Sequence, residues 1–355
     1  LTTFQQGSSQ AKKIGRYFVL AGFMVFFASL KALHAETSDA NHSSNLSAKV
    51  SAETFASWFQ KVSNWGHWGE GDQLGTLNFI TPAVRKSAAL EVKEGISVSL
   101  SRSLEAVAGI DNPSPFKLTM SAVGTPLPAN SGMQAGHGAD RFEIEYHGLV
   151  HSHIDALSHI FYKGKLYNGH SQERVTPAGA GVLSVINYKN GILTRGVLID
   201  FPRFFGQDYL EDTHIIGPAD LERWEAVSGN RIEPGDAVIV RTGRWLKREK
   251  EGPWNLMEGT AGLHPSVAFW LQDRQVSLIG SDSVIDFQPS LVEGSFFPLH
   301  ELVIAGMGMP ILDALDLEAV GATAANLGRS RFMLSLAPLA AEGATGSPVN
   351  PIATW

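Results

Sequence analysis

The chain has 355 residues, 44% hydrophobic and 18% charged, with 36 Gly, 17 Pro and no Cys. That is the composition of a folded globular protein, and it excludes disordered, collagen-like and coiled-coil classes. Without Cys there can be no disulfide, thiolate zinc site, iron–sulfur cluster or Cys nucleophile. The formal net charge of -7, from 28 basic and 35 acidic residues, argues against a nucleic-acid partner.

Lys12, Lys13 and Arg16 precede an apolar run over residues 17–30, and Lys31-Ala32-Leu33-His34-Ala35 follows. This order reads as a signal peptide over residues 1–35, cleaved after Ala35. The apolar run is shorter than the roughly 20 residues of a spanning helix. A periplasmic or secreted protein is expected, tied to a membrane only if that segment stays uncleaved. Residues 36–50 are polar and Ser-rich, a flexible lead-in. Residues 51–355 carry no internal linker and form one domain.

Ser51 caps a helix predicted to Gln60, and Thr81-Pro82 opens another. Residues 96–101 alternate as a half-buried strand does. Further strands are predicted over residues 142–155, 196–200, 236–242, 276–281 and 331–337. Helices are predicted to start at Pro218, Pro265 and near Leu299, and to run over residues 316–327. The continuous apolar runs at 196–200 and 237–240 fit strands covered on both faces. The pattern is mixed α/β.

Four of the 12 histidines fall between Tyr146 and His159. On an extended strand, His147, His151, His153, Asp155 and His159 share one face. Imidazole and carboxylate together suit a divalent ion such as zinc or manganese when thiolate is absent. Residues two apart on a strand are separated by ~7 Å, a gap two side chains can close onto one ion. His151, His153 and Asp155 are therefore the expected near neighbours. His159 either completes the shell or stands beside it as a general base. His42, His67, His137, His170, His214 and His264 stand alone and read as ordinary polar residues.

Other chemistries lack their motifs. There is no G-x-S-x-G elbow, no P-loop and no complete dinucleotide fingerprint. His300-Glu301-Leu302-Val303-Ile304 begins like a zincin helix, but Ile304 stands where the second His belongs.

Ser152-His153-Ile154-Asp155-Ala156-Leu157-Ser158-His159 resembles the second half of the H-x-G-T-H-x-D-A-P-x-H motif of the cyclase-like family of metal-dependent hydrolases. Bacterial kynurenine formamidases and isatin hydrolases belong to that family. Gly71-Asp72-Gln73-Leu74-Gly75-Thr76-Leu77-Asn78 resembles its D-x-x-G-T-x-N segment. Arg241-Thr242-Gly243 and Gly280-Ser281-Asp282 resemble two of its strand ends, and His300 through Asp313 its long-subfamily pattern. The resemblance implies a swivelling β/β/α fold with mixed sheets and flanking helices. It implies metal ligands at His153, Asp155, His300 and Asp313, and a catalytic role for His159. The family's first motif His falls on Leu149, so either His151 or His147 supplies the missing ligand, and strand geometry favours His151.

The function implied is hydrolysis of a small amide, formamide or cyclic amide by water activated on a divalent metal, Zn or Mn. Trp68, Phe161 and Tyr162, with Trp65 near them, are candidates for the substrate pocket. A small-molecule substrate and a homo-oligomer are expected. The alternatives are a lactone hydrolase or dehydratase on a non-aromatic acid, and a periplasmic metal-binding protein without turnover.

Overall fold

The apolar runs of the second half become the middle of one mixed sheet. The computed structural model describes residues 46–125 and 135–355. Nine strands make the sheet. They are β1 (Ser97–Ser99), β2 (His153–Asp155), β3 (Ile192–Asp200), β4 (Ala237–Arg241) and β5 (Leu278–Ser281), then β6 (Ile311–Asp313), β7 (Arg331–Leu336), β8 (Gly346–Pro348) and β9 (Ile352–Thr354). Their order is β1-β9-β7-β3-β4-β5-β6-β2-β8. Strands β3 to β6 pair in parallel, and the pairings on either side are antiparallel.

Alternation along the central strands builds a core on each face. Val197, Ile199, Val238 and Val240 belong to one buried cluster, and Leu198, Ala237 and Ile239 to another. Every residue of β4 is buried, as its continuous apolar run requires.

Helices flank the sheet: α1 (Ala52–Val62), α2 (Pro82–Ala89), α3 (Pro218–Ser228), α4 (Arg244–Glu251), α5 (Val267–Asp273) and α6 (Glu318–Leu327). The Ser51 and Thr81 hydroxyls accept the amides of Thr54 and Val84, so both predicted N-caps form. α1 buries Phe55, Phe59 and Val62 and packs against a π-helical turn, Glu301–Met307.

Two sequence expectations need correction. Residues 142–155 are not one strand. Ala139–Glu143 pairs with Lys117–Ala122 as a separate hairpin, and residues 144–152 have no ladder of their own before β2. Val50, expected in the flexible lead-in, is buried, and its amide bonds the Leu291 carbonyl at 2.8 Å. It belongs to a compact unit, Lys49–Trp355, distinct from the unit Leu1–Ala48. Of that first unit only residues 46–48 are described, so the signal-peptide expectation and residues 36–45 lie outside the described residues. Among the described residues, no helix is long and apolar enough to cross a membrane.

Candidate metal centre

Strand β2 lies between β6 and β8, and that position assembles the site. Pairing sets His153 opposite Asp313 and Asp155 opposite Gly346. His153 and Asp155 share a face, while Ile154 between them enters the core. Gly346 makes this close packing possible. A Cβ there would stand 2.5 Å from the Ile154 carbonyl oxygen and 2.7 Å from the His147 ring.

His153, His300 and His147 are each aimed by a partner on the other ring nitrogen. His153 Nδ1 donates to the His151 carbonyl at 2.8 Å, which leaves Nε2 3.5 Å from Asp155 Oδ1. His300 Nδ1 lies 2.5 Å from Asp286 Oδ2, and Asp286 also accepts the amides of Leu299 and His300. His300 Nε2 therefore faces inward, 3.2 Å from Asp313 Oδ2 and 3.7 Å from Asp155 Oδ2. His147 places Nε2 3.0 Å from Thr345 Oγ1 and Nδ1 2.9 Å from Asp155 Oδ1. His159 Nε2 is 3.9 Å from Asp155 Oδ2, and its ring stacks on His147 with centroids 3.9 Å apart.

Among the described residues, two groups could hold an ion, His147-His153-Asp155 and Asp155-His300-Asp313, and Asp155 is common to both. Both Asp155 oxygens and Asp313 Oδ1 are buried without a properly directed hydrogen bond. Buried carboxylate oxygens are costly unless a donor or cation meets them. Imidazoles and carboxylates converging there are the donor set of a divalent ion. The residues fit a metal.

The electrostatics differ from residue to residue. Burial would raise Asp155, but His159, His147 and His153 outweigh it and hold its carboxyl well below the usual range. Burial pulls His159 down to about 4, with only partial opposition from Asp155, so its imidazole is neutral at pH 7. His300 is pulled down by burial too, yet Asp313 and Asp286 raise it well above the ordinary value. Burial raises Asp313 against the pull of His300.

His151 is not brought into this cluster. Its ring turns to the Glu105 carbonyl, with Nε2 3.4 Å away. The preference for His151 assumed a straight strand. Residues 144–152 instead fold back and deliver His147. A cleft of about 530 Å³ opens beside His147, between residues 111–114 and 144–151. Trp68, Phe161 and Tyr162 are not in its lining. Trp68 packs edge-on against Phe79 and Tyr162 stacks on Phe59, while Phe161 is exposed. Trp65 donates its indole N–H to the Ala305 carbonyl.

The remaining motif segments acquire structural roles. Asp72 accepts the amides of Leu74 and Gly75 and the Asn78 side chain, and Thr76 bonds the Gly308 carbonyl. Asp282 accepts the amides of Thr242, Gly243 and Arg244. Asp286 and Thr345 escaped the sequence reading. Neither sits at a ligand-like spacing: Asp286 lies 14 residues before His300, and Thr345 lies 198 residues after His147.

The sequence profile of the family described as "Putative cyclase" matches residues 45–285. A crystal structure described as a novel cyclase is 29% identical, covers 83% of this chain and 100% of its own, and has a TM-score of 0.74. Isatin hydrolase A from Labrenzia aggregata, bound to benzyl benzoate, is 20% identical over 76% of this chain and 96% of its own, with a TM-score of 0.52. That second likeness is one of fold. A comparison with curated proteins found no match. The mixed sheet with flanking helices is the cyclase-like α/β fold that the motifs implied.

Proposed function

From the premise that this chain belongs to the cyclase family, we propose that it is a metal-dependent hydrolase opening a small amide, formamide or cyclic amide. Zn or Mn would be held by His147, His153, Asp155, His300 and Asp313. The observation that carries this reading is the Asp155 carboxylate, buried with both oxygens unmet and approached by His147, His153, His159 and His300. A divalent ion bound there lowers the pKa of water toward neutrality and polarises a carbonyl.

His159 supplies the proton transfers. Its neutral imidazole is 26% exposed and so reaches both the cluster and solvent. Nε2 takes a proton from the attacking water and returns one to the leaving nitrogen. The cleft beside His147 has room for the substrate, being within the ordinary size range of ligand pockets. The basic and apolar order of residues 12–35 supports export, which amino-terminal sequencing of the mature protein tests at Glu36.

The deciding experiment is metal analysis of the purified protein, followed by assays on an anilide, a formanilide, a cyclic amide and a lactone, with and without chelator. Bound Zn or Mn and chelator-sensitive amide cleavage are expected. Cleavage of the lactone alone would replace the amide reading. Tight metal binding without turnover of any of the four would point to a metal-holding protein instead.

A further inference from the structure

Helix α4 contributes nothing to the chemistry above, yet its first two turns meet three separate parts of the site. Its start is fixed by the buried Asp282 carboxylate, which accepts three successive amides. Trp245 packs with Val150 and Ala314 and donates its indole N–H to the Leu315 carbonyl at 2.6 Å. It therefore joins the loop before β2 to the end of β6. One turn on, Arg248 grips Asp111 through Nε and Nη2 at 2.6 and 3.0 Å, and Glu105 through Nη1 and Nη2 at 3.0 and 2.8 Å. Asp111 is part of one cleft wall, and the Glu105 carbonyl faces His151.

Arg244 completes the arrangement. Its side chain is 1% exposed, and Nη1 donates to the Leu149 carbonyl, midway between His147 and His151. Nη2 stands 3.5 Å from Asp111 Oδ2 on the opposite wall. Both Nε and Nη2 are buried without a hydrogen bond. A buried guanidinium with two unmet groups costs stability, and such costs persist where the local geometry serves a site. Residues 144–152 have no strand or helix ladder to hold them. The Leu149 carbonyl is held by this side chain instead.

We propose that Arg244 is a positioning residue, which spaces the two cleft walls through Leu149 and Asp111 and thereby seats His147 against Asp155. The consequence for metal rests on the reading of His147 as a ligand, whereas the bracing itself is a property of the metal-free chain.

Two measurements on the whole protein test the two parts separately. Hydrogen exchange over residues 144–152 in the metal-free protein reads the brace. Arg244→Met should speed exchange there by about 10-fold or more while β3 and β4 keep their protection, and Arg244→Lys should restore part of the loss. Chelator competition for Zn²⁺ reads the consequence. Arg244→Met should weaken Zn²⁺ by about 10-fold, the low end for residues that orient ligands, and cost nothing further in a His147→Ala background. Unchanged exchange in the loop, exchange that rises everywhere, or equal affinity loss with and without His147 would each overturn the proposal. If the parent binds no Zn²⁺, the metal reading fails on its own and the exchange result still decides the brace. Should Arg244→Met fail to fold, Arg244→Gln, which shortens the side chain and removes its charge, replaces it in both measurements with the same expected outcomes.

Discussion

On one side of Asp155, His300 and Asp313 are buried, carried on a helix start and a strand, and Asp286 clamps the histidine through its ring and two backbone amides. On the other side, His147 and His159 are each 26% exposed, and His147 lines a cleft and rides on a loop braced from α4. Asp155 belongs to both. On the proposed reading, the buried side holds the ion and the open side gives a substrate and a proton carrier their access. A site divided in this way gains precision from its sheet and reactivity from its loop.

The largest expected effect comes from the residue the two sides share. Asp155→Ala should weaken metal binding by more than about 100-fold, beyond the range for residues that only orient ligands. Near-normal affinity by chelator competition would break the view that both sets converge on one carboxylate. His159→Ala should keep its metal while hydrolysis falls by ~10²–10⁴-fold, the usual worth of a general base. A parallel loss of metal would move His159 from the reactive side to the holding side.

Stability should separate the sides more gently. His300→Ala removes the buried imidazole between Asp286 and Asp313, leaves Asp313 without its partner, and should cost about 3 kcal/mol in urea unfolding of the metal-free protein. His147→Ala, at a partly exposed contact, should cost under about 1 kcal/mol. Equal costs would erase the distinction.

The smallest effect is one of sign with pH. His159 is lowered from 6.5 to about 4, so between those values the unfolded chain binds the extra proton. Metal-free stability is therefore lost as pH falls through that window. His300 is raised, so its contribution is complete below 6.5 and is lost as pH climbs through the raised value. Comparing His159→Ala and His300→Ala with the parent across pH should show differences of opposite slope. Slopes of one sign would show that the two sides share one electrostatic environment.

Much of this organisation is written locally in the chain. The caps at Ser51 and Thr81, the doubly covered strands β3 and β4, and the phase of His153 with Asp155 depend on neighbours within a few residues. Such features are legible because rotamers, capping and strand alternation act over short range. The same reasoning failed over residues 142–155, where alternation suggested one strand. The chain breaks there because Leu149 is held by Arg244 and Tyr146 by the Gly346 carbonyl, partners that are distant in sequence.

The residue types of the centre, its metal-binding character and the family to which the chain belongs were thus determined by the sequence alone. Which histidine stands beside Asp155, that Asp286 aims His300, and that α4 braces the cleft were decided only by the tertiary structure. His147 stands only eight residues from Asp155, and Asp286 fourteen from His300, but how they meet is set by packing against distant segments, through Thr345 on His147 and Arg244 on Leu149. Their geometry depends on how the sheet orders its strands, and no local pattern carries that order.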